Sequence, residues 1–93
     1  SMLIYLDRVP TDQAAFENKV RAIAAKHGFN PNWLMVVIRF ETGGAFKPGY
    51  YASSGAVGLI QFTTAGASAV GTTKAYLATL TAVQQLDYVD KYL

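Results

Sequence analysis

Glu41 stands at the tail of LMVVIRFETGG (Leu34–Gly44), the most hydrophobic stretch of a chain that contains only two glutamates. A carboxylate there loses hydration, and it also meets the negative end of the helix that the stretch predicts. Both effects favour the neutral acid, which can donate a proton near neutral pH. Arg39 lies two residues earlier and so points to a different helical face, away from a pairing that would oppose this. Position alone still favours the plainer reading of a charge pointing to solvent, because helix ends often carry one.

The segment SSGAVGLIQF (Ser53–Phe62) adds chemistry of another kind. Gly55 and Gly58 permit close approach of a ligand or of another backbone, while Leu59, Ile60 and Phe62 can be buried. Gln61 offers an amide able to hydrogen-bond a sugar hydroxyl or an N-acetyl group. Taken by itself, the segment is explained equally well as a tight structural turn. The single histidine, His27, reads as a helix-end cap complementing the dipole rather than as a catalytic group.

These residues must be positioned by helices, for which the signals are abundant and the strand signals poor. TDQAAFENKVRAIAAKHG predicts a helix capped by Thr11 or Asp12 and closed by Gly28, with Phe16, Val20, Ile23 and Ala24 as its apolar stripe. Asn30 and Pro31 open the next helix, which is apolar nearly all round from Trp33 to Phe40 and is expected to be central and buried on most faces. From Ala45 to Gln61 the composition turns to Gly, Ser, Tyr and Pro, a structured loop. Short helices follow after Thr63 and after Thr72 or Thr73. The last, TAVQQLDYVDKYL, has a capping-box spacing at Thr81 and Gln84 and a stripe of Val83, Leu86, Val89 and Leu93. The expectation is one all-α domain over residues 1–93, with residues 1–10 as an N-terminal extension and Ser1 before Met2 a cloning remnant.

Composition narrows the classes. Hydrophobic residues at 52% and charged residues at 15% describe a globular chain with a single modest core. At 93 residues it buries little more than ~60% of its unfolded surface. No apolar run approaches the ~20 residues that cross a bilayer, and the start lacks the basic region of a signal peptide. Without cysteine there is no disulfide framework or thiolate metal site, and one histidine argues against zinc. The eight basic residues are scattered and the net charge is only +2, too diffuse for a nucleic-acid face. A mildly basic surface suits an anionic polymer such as a cell wall, among other partners.

In order and spacing, ETGGAFKP followed by SSGAVGLIQF resembles the lytic transglycosylase and goose-type lysozyme group of the lysozyme-like superfamily. Phe46 and Pro48 match that family's Phe-x-Pro element, and Gly55 to Gln61 match its Gly-Ala-x-Gly-Leu-Met-Gln turn, with Ile60 in place of Met. The resemblance covers about Ala22 to Gly71, and the C-terminal helix is similar to phage tail-associated members. It implies a small, partial lysozyme-like fold whose central helix ends at the catalytic glutamate. Glu41 matches the acid that protonates the oxygen between N-acetylmuramic acid and N-acetylglucosamine, and Gln61 matches the glutamine lining the sugar cleft. Ser53 or Ser54 falls near the family serine that contacts the glutamate or the substrate. Tyr50 and Tyr51 either stack on sugar rings or pack the loop.

Ordinary glycoside hydrolysis uses two carboxylates, and none besides Glu41 comes from the motif segments. The resemblance therefore implies a single-acid route to a 1,6-anhydro product, with no metal or cofactor. Nothing here matches the later, tyrosine-bearing motif with which family members close the cleft. The expectation is thus a chain cut short, a wall supplied by another chain or by a homodimer over exposed apolar surface, or a domain that binds glycan without turnover. The classes kept are a peptidoglycan lyase, an inactive glycan-binding or assembly module, and a hydrolytic lysozyme. The expected setting is the bacterial cell wall, the periplasm or a phage tail, with no nucleic-acid partner and no membrane insertion.

Overall fold

The computed structural model describes residues 1–93. Five α-helices follow a short 3-10 turn at Leu6–Arg8: α1 Gln13–His27, α2 Pro31–Glu41, α3 Thr64–Ala69, α4 Lys74–Leu77 and α5 Ala82–Tyr92. No strand forms; two isolated bridges, Tyr51 with Val57 and Val57 with Phe62, are the only pleated pairings. The chain is all-α.

Local chemistry sets most of the boundaries. Asn30 accepts from the Asn32 N–H (2.9 Å) with Pro31 in the first turn. Thr63 accepts from Gly66 (3.0 Å) and Thr73 from Tyr76 (3.1 Å). Thr81 and Gln84 complete a reciprocal capping box, at 3.2 and 3.0 Å. Gly28 closes α1 in the left-handed region (φ 79°). The start of α1 differs from expectation. Asp12 occupies the N-cap with φ 50°, and its carboxylate receives no N–H from the first turn. Gln13 donates instead to the Val9 carbonyl at 3.0 Å, tying the helix back to the segment before it.

Packing corrects the expectation of a central α2. It is α1 that packs against both α2 and α5. Phe16, Val20, Ile23 and Ala24 form its fully buried stripe, as the sequence spacing predicts. α2 buries only Leu34, Met35 and Ile38, while Trp33 and Val36 are about half exposed and Phe40 is 80% exposed. Hydrophobicity reports which faces of α2 could be covered, and α1 covers one of them. On α5 the inward stripe is Ala82, Gln85, Leu86 and Val89, with Val83 half-buried and Leu93 exposed. The opening residues also belong to the core: Leu3, Leu6 and Val9 are buried in it, and the Ile4 N–H donates to Asn32 Oδ1 at 3.0 Å.

Ion pairs clasp α1 to α5. Lys19 meets Asp87 at 2.6 Å, and Asp90 receives both Lys26 (3.1 Å) and His27 Nε2 (2.7 Å). His27 thus has a carboxylate partner on another helix and is more than a dipole cap. The His27 hydrogen bond, against the opposing effect of burial and with help from Lys26, holds the Asp90 carboxyl below its ordinary value of 3.8. A depressed native pKa contributes stability above the unfolded value that is lost as pH falls through the native one. Asp90→Asn should therefore cost about 0.5–1 kcal/mol at about pH 6, the scale of partly exposed pairs. In urea melts, the gap to the parent chain should close as pH drops below 3.8.

Candidate functional site

Glu41 is the last residue of α2 and is half-buried, and its carboxylate makes no hydrogen bond or ion pair within the chain. Arg39 does not face it: the guanidinium carbon lies 5.0 Å from the centre of the Tyr5 ring. The next residue, Thr42, is 1% exposed and fixes the exit from the helix. Its hydroxyl donates to the Ile38 carbonyl (2.7 Å) and accepts from the Phe46 N–H (3.0 Å). Gly43 and Gly44, at φ 62° and 89°, turn the chain between these two bonds. Phe46 itself has φ 54° and is fully buried, its ring 6.4 Å from both Phe16 and Tyr5. The Thr-Gly-Gly-x-Phe run is thus a knot directly behind the glutamate, buried at Thr42 and Phe46 and exposed at Gly43 and Ala45 between them.

The second segment folds as two consecutive turns. Ala52 and Ala56 pair across the first (3.0 Å), with the Gly55 N–H donating to Ala52. Val57 and Phe62 exchange both backbone hydrogen bonds, at 3.0 and 2.8 Å, across the second. The Gly58 N–H donates to the Tyr50 carbonyl at 2.8 Å, joining the two turns. Gln61 adopts φ 60° and spends its amide N–H groups inside the loop, on Gly58 O (3.1 Å) and Tyr50 O (3.3 Å). Its Oε1 accepts nothing, so toward a ligand Gln61 presents an acceptor and no donor.

The loop therefore brings Tyr50 and Gln61 together. Tyr50 and Tyr51 are 37% and 49% exposed, leaving ring surface open to a partner. Ser53 and Ser54 are exposed at the tip of the first turn, where Ser54 Oγ accepts from the Ala56 N–H at 3.3 Å. Neither serine hydrogen-bonds Glu41. No cavity or enclosed cleft forms on the chain, and no three His, Asp or Glu side chains come together as a metal site would require.

Gln85 is the residue that sequence reasoning overlooked. It is fully buried, and its carboxamide accepts from Leu59 N (2.8 Å) and donates to Pro48 O and Leu77 O, each at 2.9 Å. The available signal was its place beside Ala82, Leu86 and Val89 on the buried helical face, where a polar residue needs partners.

Compared with known proteins, the chain matches no family model, no curated protein and no solved structure.

The Thr42 hydroxyl gives a direct test of the knot behind Glu41. Thr42→Val preserves shape but leaves the buried Phe46 N–H without its acceptor, and should cost about 1–3 kcal/mol in urea unfolding. Thr42→Ser, which keeps the hydroxyl, should retain most of that stability.

Proposed function

We propose that this domain is a peptidoglycan lytic transglycosylase with Glu41 as its single acid and base. The observation that carries the reading is that Glu41 is the one half-buried acid left without a basic partner. Of the other two, Glu17 is paired with Arg21 at 2.8 Å, and Asp90 with His27 and Lys26. An unpaired carboxyl behind an apolar helix, followed in order by a loop presenting Tyr50, Tyr51 and the Gln61 oxygen, supports work on a polyhydroxylated polymer. The resemblance of ETGGAFKP and SSGAVGLIQF to the lytic transglycosylase group supports the choice of peptidoglycan.

On this reading, Glu41 donates its proton to the glycosidic oxygen as the bond from C1 of N-acetylmuramic acid to that oxygen breaks. The substrate's own N-acetyl group steadies the cationic C1. The muramic acid 6-hydroxyl then bonds to C1, returning its proton to the Glu41 carboxylate and closing the 1,6-anhydro ring. No water is consumed, and the acid ends as it began. A hydrolytic lysozyme would need a second carboxylate or a positioned water. Glu17, Asp87 and Asp90 are held by basic partners, and the remaining acids, Asp7 and Asp12, are exposed and lie outside both motif segments. The setting of such an activity is the bacterial cell wall or periplasm, or a phage tail.

A second reading, a glycan-binding or assembly module without turnover, is favoured by the open surface around Glu41. Phe40 beside it is 80% exposed and no cleft encloses the carboxyl. The exposed face of α2 could then seat a second copy or another part of a larger chain.

Digestion of purified sacculi, with the soluble products weighed by mass spectrometry, separates these. The lyase yields muropeptides with 1,6-anhydro ends, the hydrolase reducing ends, and the binding module retention on sacculi without release. Glu41→Gln should lower release at least about 100-fold, the scale of a lost general acid. Equal release by the parent chain and the variant would refute the role given to Glu41.

A further inference from the structure

We infer that Gln85 is the positioning residue of the glycan site, its buried carboxamide setting the Tyr50–Phe62 loop against the segment that follows Glu41. The inference rests on the transglycosylase reading above. Pro48 ends the first motif and Leu59 lies inside the second, so the bonds from Gln85 to Pro48 O (2.9 Å) and Leu59 N (2.8 Å) span both. The third bond, to Leu77 O at the end of α4 (2.9 Å), fixes which way the amide points. Both donors face carbonyls and the acceptor faces an N–H, so a half-turn of the amide would leave these bonds unmade.

Other side chains fail for stated reasons. An ionised glutamate has no donor for the two carbonyls, methionine and leucine have neither donor nor strong acceptor, and asparagine is one methylene short. Gly58 is matched to the same group. A Cβ built there would lie 2.9 Å from Gln85 Cδ and closer still to Oε1, and φ is +87°. The second glycine of the motif is thus the seat of the Gln85 amide as well as a turn residue. Position is passed on through the loop, since Gly58 N and Gln61 Nε2 both bond to Tyr50 O. A shift at Pro48 or Leu59 displaces Tyr50 and Gln61, the groups that meet sugar on this reading.

The test uses the Glu41→Gln chain, so that binding is read without turnover, and an N-acetylglucosamine tetramer as the probe. Adding Gln85→Met should remove hydrogen-exchange protection at the Leu59 amide and raise the Kd for the tetramer about tenfold, while α1 amides stay protected. Gln61→Ala and Gln85→Met should combine to less than the product of their separate effects, because both act through one loop. Full multiplicativity, or an exposed Leu59 amide with an unchanged Kd, overturns the positioning role and leaves Gln85 purely structural. Should Gln85→Met not fold, Gly58→Ala meets the same amide from the loop side and must show the same paired loss; an unchanged Kd there overturns the inference. Absence of tetramer and sacculus binding with Gln85 intact is a separate result, and sinks the glycan reading itself.

Discussion

The uncharged amide of Gln85 is the buried anchor that ties the part of this domain without regular secondary structure to α4 and α5, with the Lys74 ammonium adding a bond to Gly55 O at 2.9 Å. From Thr42 to Phe62 the chain has neither helix nor ladder, only two isolated bridges, yet it runs through the core at Phe46, Val57, Leu59 and Phe62. Burying such a segment strands backbone polar groups, each costing about 1–3 kcal/mol if unpaired. Gln85 supplies the partners missing at Pro48 O and Leu59 N, and anchors them to Leu77 O, which also accepts from the Leu80 N–H. In a domain whose net stability is of order 5–15 kcal/mol, that contribution is not replaceable by packing alone. Thr42 does the same at the other end of the segment, through Ile38 and Phe46.

Backbone strain gathers where these two anchors act. Four residues other than glycine have positive φ: Tyr5, Asp12, Phe46 and Gln61. Two of them lie in the motif segments, and a third, Tyr5, packs its ring on Phe46. Conformations of this kind cost of order 1 kcal/mol or more each and persist only when their surroundings over-determine them. Here the surroundings are identifiable. Phe46 is held by its fully buried ring and by Thr42, and Gln61 by its own amide on Gly58 and Tyr50. Tyr5 is held beneath the guanidiniums of Arg8 and Arg39, at 5.7 and 5.0 Å from its ring centre.

What could be read from the sequence follows the range of the interaction. The Asn30, Thr63, Thr73 and Thr81 caps are legible because donor and acceptor lie within three residues. The α1 stripe is legible because helical periodicity alone decides it. Gln85 was not, since two of its three partners lie 26 and 37 residues away and a glutamine between apolar positions interrupts the apolar stripe. The same holds for Leu3, Leu6 and Val9, which make a segment resembling an extension part of the core. The apolar content of α2 was visible, but which neighbour would cover it was not. In the site, the order of the two motifs was plain from the sequence. That Gln61 spends its amide hydrogens on its own loop became visible only in three dimensions.

The openness of the surface bears on how a lone carboxyl could act. General acid chemistry gains when water is excluded from the reacting bond, and this chain encloses no cavity around Glu41. Two apolar surfaces are available to exclude it. One is the exposed rings of Tyr50 and Tyr51 on the loop, and the other is the Trp33, Val36 and Phe40 side of α2, which leads along the helix to Glu41. They are built differently. The loop backbone is clamped by Gln85 and turned by positive-φ residues, so the positions from which its two tyrosines project are fixed. The α2 side is an ordinary helical face with three-residue and four-residue spacing, suited to another protein surface. On the transglycosylase proposal, this division gives the loop the contact with glycan and the helix face the wall around the acid.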